Sequence, residues 1–237
     1  LRMERQRYLL PEFAKDNGFN YEDKAPGLNL PGMLFWTGNL PKTRKTEAIL
    51  SGSYEGQRFI TGNHYFDNHA GGRINTYDYG FIGVELPRSL PQILLRSKRK
   101  AMEFTANFKS DQVLQLEGDF GKYFILYCPK GYEQDALYVL TPDLMQLLIS
   151  HGSNFDIEIT GNSIFFYHHP FTVDQRQAEE IFAVIATLGN ATTKRTLRYQ
   201  NQLARFGIFP RLKSGFITII LINLLLFGLL ALRYLLR

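Results

Sequence analysis

The longest uniform feature of the chain is apolar. Residues 214–232 read SGFITIILINLLLFGLLAL, without a formal charge and with Asn223 as the most polar side chain. At 1.5 Å per residue a helix of this length covers roughly 28 Å, close to the hydrocarbon core of a bilayer, with its backbone groups bonded internally. The stretch therefore predicts a single transmembrane helix. Upstream, the hydrophobic pattern changes on shorter periods. TEAILSGSY, QRFITGNHYF and INTYDYGFIGVEL follow one another between Thr46 and Leu86, separated by Glu55-Gly56 and Ala70-Gly71-Gly72, and read as an antiparallel meander. Leu86-Pro-Arg-Ser-Leu-Pro91 interrupts it. A second set follows, MEFTANF, DQVLQLEG, GKYFILYCP, FDIEIT and SIFFYHH, the last two flanking Gly161-Asn162, a turn signal of the hairpin type.

Three segments carry helical periodicity. The first reaches about Asn17, with Tyr8, Leu9 and Phe13 on one side, Pro11 as a place to kink and Gly18 suited to the C-terminal cap. The second has Thr141 as N-cap, Pro142 at the first helical position, Leu144, Leu147 and Leu148 on one face, and Gly152 as its end. The third spans about Val173 to Leu188, with Ala178, Ile181, Phe182, Ile185 and Leu188 as its buried stripe and Gly189 as its stop. Residues 21–42, rich in Pro and Gly, read as a loop. The expectation is an α+β fold: an antiparallel β-rich domain in two meander halves, 43–100 and 101–193, with two or three helices, followed by a single C-terminal transmembrane helix. Few helices intervene between strands, which argues against the βαβ alternation of a nucleotide-binding sheet. The expected organisation is a helix in 1–20, a domain in 21–193, a basic linker in 194–213, the span in 214–232 and a basic tail in 233–237.

Charge changes this picture in one respect. The net charge of +5 would suit nucleic acid, but Lys194, Arg195, Arg198, Arg205, Arg211, Lys213, Arg233 and Arg237 lie after residue 193, where there is no acid. The remaining nineteen Lys and Arg face 22 Asp and Glu, so the body of the chain is mildly acidic. These eight residues are expected at the membrane interfaces, where cations meet anionic headgroups. Nucleic acid is excluded as a partner on this ground. More Lys and Arg precede the span than follow it, so the domain is expected on the cytoplasmic side of a bacterial inner membrane. Arg2, Arg5 and Arg7 form a second basic cluster, consistent with an apolar anchor upstream of Leu1. Asn223 could contact a neighbouring helix within the membrane.

Candidate chemistry is sparse. Cys128 is the only cysteine, which excludes an intrachain disulfide and a multi-cysteine zinc site and suits a reducing cytoplasm. His64, Asp67 and His69, with Asp78, are the candidate metal ligands. Strand residues five apart point to opposite faces, however, so His64 and His69 would share an ion only if a turn began between them. His168 and His169 alternate in the same way. Asp119-Phe120-Gly121 copies a kinase metal motif but lacks the accompanying glycine loop and catalytic loop, and reads as a turn. Ala70-Gly71-Gly72-Arg73 does not continue into a phosphate-binding helix. Asn190-Ala-Thr192 matches a glycosylation acceptor by its three letters alone. No catalytic residue, metal or cofactor is assigned.

Residues 117–149, EGDFGKYFILYCPKGYEQDALYVLTPDLMQLLI, resemble an uncharacterised family of bacterial membrane-anchored proteins, including members from reduced-genome lineages, whose pattern runs F-x-V, an acidic residue, then A-x-x-L-L-T-P-x-F-M. Tyr123 to Tyr127 match its strand, Asp135-Ala136-Leu137 its link, and Leu140-Thr141-Pro142-Asp143-Leu144-Met145 its helix start. FAKDNGFNY, Pro-Gly-Met-Leu-Phe at 31–35 and SGSYEGQRFITGNHYF are similar to the same group. The resemblance implies a membrane protein with a domain of unknown function and no reaction. The functional expectation is a non-catalytic interaction or assembly domain held at a bilayer, binding a protein partner or further copies of itself. A metal-dependent hydrolase built on His64, Asp67 and His69, or an anionic-lipid sensor built on 194–213, are the alternatives.

Overall fold

The computed structural model describes residues 2–25, 28–38, 40–99, 112–116, 118–168, 175–197 and 199. Along the chain, helix α1 (Arg2–Asn17) leads into β1 (Asn20–Ala25), β2 (Lys45–Tyr54), β3 (Gln57–Ala70) and β4 (Arg73–Ser97), with short 3-10 turns at Met33–Trp36 and Pro41–Thr43. There follow β5 (Val113–Leu114), the single turn α2 (Phe120–Tyr123), β6 (Phe124–Tyr127), α3 (Glu133–Val139), α4 (Pro142–Leu147), β7 (Asp156–His168), α5 (Gln175–Val184) and α6 (Asn190–Thr196). This is an antiparallel, sheet-rich α+β fold. The span expected at 214–232, with Asn223, the cations from Arg198 onward and the strand expected at 102–108 fall outside the described residues. Among the described residues no helix is long and apolar enough to cross a membrane.

Both expected halves contribute to one seven-stranded sheet in the order β1-β2-β3-β4-β6-β5, with β7 on the other edge of β4. Phe59 to Ala70 of β3 pair with Val84 to Arg73 of β4, and β6 pairs with Leu94 to Ser97 at its far end. Along the opposite edge β7 pairs with β4 from Gly80↔His168 to Leu95↔Ile157. The β4–β7 ladder is thus the spine of the molecule.

Several sequence expectations are corrected here. Leu86 to Pro91 do not end a strand, because β4 runs through them to Ser97. Gly161-Asn162 do not turn a hairpin. The residues on both sides of them pair with β4, whose register shifts between Glu85 and Leu90 and between Leu90 and Ile93. Gly161, at φ +55°, takes up the irregularity, a conformation open to glycine without a Cβ penalty. Part of the presumed loop 21–42 is β1, which adds an edge strand to β2 from Asn20↔Ser51 to Ala25↔Thr46. The link at 135–137 lies within α3. Helical structure also continues through Gly189, where φ is −61°. A Cβ there would stand 3.2 Å from Val84, so the missing side chain serves close helix–sheet approach rather than termination.

The helices cover one face of the sheet. Ile82, Val84, Leu86, Ile93 and Leu95 of β4 and Ile157, Ile159, Ile164 and Phe166 of β7 meet Val139, Leu144, Leu148, Ile181, Ile185 and Leu188 in the main core. Each such side chain, fully removed from water, contributes about 1.5–3 kcal/mol. Phe182 stacks on Phe19 at 5.4 Å and meets Phe59 and Phe13 at 5.6 and 5.8 Å, tying α5 to α1 and the β1 entry. The opposite face carries a second core of Leu34, Phe35, Phe66, Tyr79, Phe81, Phe165 and Tyr167. Its cover is the 28–36 segment.

Gly189→Val should force γ-methyls against Val84 and lower unfolding stability by about 1–3 kcal/mol, the range for overpacking. Gly71→Asn, at a φ of +58° with open space around the missing Cβ, should change stability by less than about 1 kcal/mol. Urea denaturation of the two variants measures the contrast.

Candidate functional site

The second core is built from the Pro-Gly-Met-Leu-Phe segment at 31–35. Pro31 and Gly32 bring the chain down onto β7, where a Cβ on Gly32 would collide with the Tyr167 hydroxyl and lie 3.0 Å from the Phe165 ring. Only glycine fits there without displacing a fully buried tyrosine. The 3-10 turn that follows sends Leu34 and Phe35 inward, Phe35 meeting Phe81 edge-on at 4.9 Å and Phe165 at 5.7 Å. The turn also aims the Met33 backbone N–H at the sheet.

That N–H donates to Glu158 Oε2 at 2.7 Å. Tyr167 Oη donates to the same oxygen at 2.7 Å, and Gln92 Nε2 donates to Oε1 at 2.6 Å. Glu158 is 0% exposed. Burial pushes its pKa up, and the three donors oppose that shift by favouring the carboxylate. Burial, followed by the neighbouring Glu158, pushes the Tyr167 hydroxyl well above its ordinary range. The cluster has the form of an acid–base pair but is sealed from solvent, and each carboxylate oxygen already accepts a donor. Its action is to clasp the 28–36 cover onto β7.

His64 belongs to the same face. It is buried, its Nδ1 lies 2.9 Å from Thr46 Oγ1, and its ring meets Phe35 edge-on at 4.9 Å. Nε2 is buried and has no hydrogen-bond partner among the described residues. Burial and then the Arg44 guanidinium lower its pKa to about 4, so the ring is neutral near pH 7. Arg44 is itself fixed, donating to the carbonyls of Trp36, Thr37 and Gly38 at 2.8–3.0 Å.

The other sequence candidates are scattered. Asp67 and His69 project from the sheet face opposite His64, as strand alternation requires. Asp67 accepts from Thr76 Oγ1 at 2.7 Å. Asp78 shares that face. Burial and the nearby Glu47 raise its pKa to about 6, with Lys45 opposing them. Among the described residues no three His, Cys, Asp or Glu side chains converge on a metal position. His168 lies across Gly80 and meets Phe155 edge-on at 5.7 Å, while His169 lies outside the described residues. Cys128 is buried, and burial followed by Glu133 raises its thiol pKa, the opposite of nucleophile activation. In Asp119-Phe120-Gly121, Asp119 pairs with Lys122 at 2.8 Å and Phe120 is core. Asn190 accepts from Gln57 at 2.8 Å, and Thr192 is fully buried, so this triplet is part of the helix packing.

Two surfaces were not legible in the sequence. Beside the 28–36 cover an open groove of about 850 Å³ runs over Ile60, Gly83 and Phe165, rimmed by Asn20, Ser51, Ser163 and the exposed Arg58–Glu85 ion pair at 3.3 Å. Strand alternation could have found its floor only with the pairing register known. The second surface is the C-terminal end of the folded unit, which extends to Tyr199. Tyr199 is buried and donates to Asp135 Oδ1 at 2.5 Å. Arg195 donates to the Tyr138 carbonyl at 2.6 Å and stacks on that ring. Of the cations expected at the membrane interface, Arg195 is therefore held by the domain, while Lys194 is exposed on α6.

No family model and no curated protein matches this chain. Among solved structures, the chain is similar to the crystal structure of the mycobacterial trehalose monomycolate transport factor A, TtfA. The identity is 14%, the match covers 80% of this chain and 93% of that one, and the TM-score is 0.53. At this identity the likeness is one of fold.

Two predictions follow from the clasp and from His64. Glu158→Ala leaves buried donors unpaired, each worth about 1–3 kcal/mol, and should speed amide exchange across 33–37 more than elsewhere. A variant with unchanged exchange there would refute the clasp. For His64, a folded pKa below the unfolded 6.5 means its contribution is fully present above pH 6.5 and is lost as pH falls toward 4. The loss amounts to something on the order of 3 kcal/mol. Asp78 has the opposite sign: its raised pKa costs stability above pH 6 and that cost is relieved on acidification. The difference between wild type and His64→Gln isolates the histidine, and the variant should show a shallower fall in unfolding free energy between pH 6.5 and 4.

Proposed function

We propose that this chain is a membrane-anchored, non-catalytic interaction domain that works at the cytoplasmic face of a bacterial membrane, binding a protein partner or further copies of itself. The observation that carries this reading is the charge-free run 214–232, bracketed by Arg211 and Lys213 on one side and Arg233 and Arg237 on the other. The domain joined to it supports a non-catalytic role by how it uses its polar groups. Glu158, Tyr167, His64, Asp135 and Tyr199 are consumed in holding the cover and the last helix, and Cys128 is an unactivated core thiol.

The fold likeness agrees with this class of role, since the similar mycobacterial protein is named as a transport factor. By that analogy the partner is a component of a membrane-associated transport assembly. The groove over Ile60 and Phe165 is a surface on which such a partner could be received. The resemblance of residues 31–35 and 117–149 to membrane-anchored bacterial proteins supports the same placement.

The test is made on the full chain in bacterial membranes. It should resist extraction by alkaline carbonate, lose that resistance when 214–232 are deleted, and be protected from protease added outside spheroplasts. Affinity capture from mild detergent should return a reproducible partner or a homo-oligomer. Release of the full chain by carbonate would overturn the anchor, and a strictly monomeric, partner-free protein would overturn the interaction role.

A further inference from the structure

The end of the folded unit has a surface of its own chemistry. Tyr199 is pinned beneath α3 by Asp135 and packs on Tyr138 with ring centroids 5.8 Å apart, which fixes the point from which the chain leaves the domain. The elements around this point interlock through backbone oxygens. Arg195 of α6 donates to the Tyr138 carbonyl of α3, and Arg88 of β4 donates to the Leu197 carbonyl at 3.4 Å. Two exposed leucines lie on the helical side of the exit: Leu137 on α3 is 50% exposed, and Leu197 after α6 is 51% exposed. Arg88 and Lys194 are exposed cations of the same region. Of the two acids of α3, Asp135 is buried and bonded to Tyr199, and Glu133, one turn before Leu137, accepts from the Gly131 backbone N–H at 2.9 Å.

From this we infer that Leu137, Leu197, Arg88 and Lys194 form a face that rests on the anionic surface of the bilayer and orients the domain there. The inference rests on the anchored reading above and names the side of the domain that meets lipid. Chain length and surface chemistry commit the face to a membrane. Fourteen residues, Gln200 to Lys213, separate the exit from the apolar run, and a chain of that length reaches at most about 50 Å even when fully extended. A surface held that close to a bilayer samples it at high effective concentration, so a patch too small to bind lipid from solution is sufficient once tethered. Leucine side chains beside arginine and lysine match the apolar and anionic layers of a headgroup region, in which aliphatic stems can enter while the charges stay at the phosphates.

The other large exposed apolar side chains supply the control. Ile74 is 62% exposed at the β3–β4 turn and lies fourteen positions from Arg88 along β4, roughly 45 Å of extended strand. The experiment uses the full chain in a Cys128→Ala background, with Leu137→Cys, Leu197→Cys or Ile74→Cys carrying a bimane label. Each is reconstituted into nanodiscs rich in phosphatidylglycerol that contain spin-labelled quencher lipid. The expected result is quenching at 137 and 197 several-fold stronger than at 74, weakened in discs of phosphatidylcholine alone and by Lys194→Glu. Equal quenching at all three positions overturns the inference while the protein remains disc-bound. Labels at 137 and 197 that are as shielded in lipid-free detergent as in discs assign the face to a second copy or a protein partner and likewise overturn it. A full chain that does not enter discs at all removes the anchor, and the docking face with it.

Discussion

The structure depends on a paired irregularity in its two longest strands. In β4 the main core takes Ile82, Val84 and Leu86 from even positions but Ile93 and Leu95 from odd ones, and in β7 it takes Ile157 and Ile159 from odd positions but Ile164 and Phe166 from even ones. A strand that alternates strictly cannot do this. The register shifts opposite Leu90, with Gly161 at positive φ, reset the alternation in both strands at once, so each keeps its apolar side toward the helices along its whole length. The reset has a second consequence. Glu158 and Tyr167 are nine residues apart and would face opposite sides of an unbroken strand, yet they meet at 2.7 Å on the face away from the helices. The clasp that holds the 28–36 cover exists because the strand changes phase between its two members.

That same phase change explains what was readable in the sequence. FDIEIT and SIFFYHH each alternate, the alternation slips between them, and a Gly-Asn pair sits at the slip. A hairpin gives the same local pattern as a bulge, and the two differ only in whether the flanking segments pair with each other or with a third strand. The third strand is β4, roughly sixty to ninety residues earlier, and nothing local reports it. The Pro-containing run 86–91 misled for the matching reason: it is β4's half of the same irregularity, where proline can be accommodated at a break in the ladder. By contrast, the three early strands, α1 with its Gly18 cap and the Thr141-Pro142 helix start were legible, because their signals are complete within a few residues.

The candidate site was less legible than the fold, and the polar residues show why. His64 attracted attention as a metal ligand, but its meaning lies in Thr46 on β2 and Phe35 on the cover, contacts set by sheet register. Glu158 drew none, since Asp156 and Glu158 alternate with Ile157 and Ile159 and so read as solvent-facing positions. Its three donors come from Met33, Gln92 and Tyr167, in separate parts of the chain. What the sequence did carry was the Pro-Gly-Met-Leu-Phe segment, singled out by resemblance. Its glycine, its turn and its first inward side chains are the parts that make a cover over β7.

The position at which the fold ends has the widest consequence for anchoring. Composition alone draws the boundary at residue 193, where the basic run begins, and would leave twenty residues of basic linker before the apolar run. Packing carries the folded unit on to Tyr199, since Thr192, Thr196 and Tyr199 are buried and Arg195 is engaged with α3. The stretch between the folded unit and the apolar run shortens to fourteen residues, and the most it could span falls from about 70 to about 50 Å. Because loop-closure entropy grows only logarithmically with length, the shortening alters tethering free energy little. Its stronger effect is geometric. Tyr199 and Asp135 fix where the described chain ends, and in the anchored reading proposed above a fixed exit ahead of a short tether would favour one side of the domain over the others for contact with lipid.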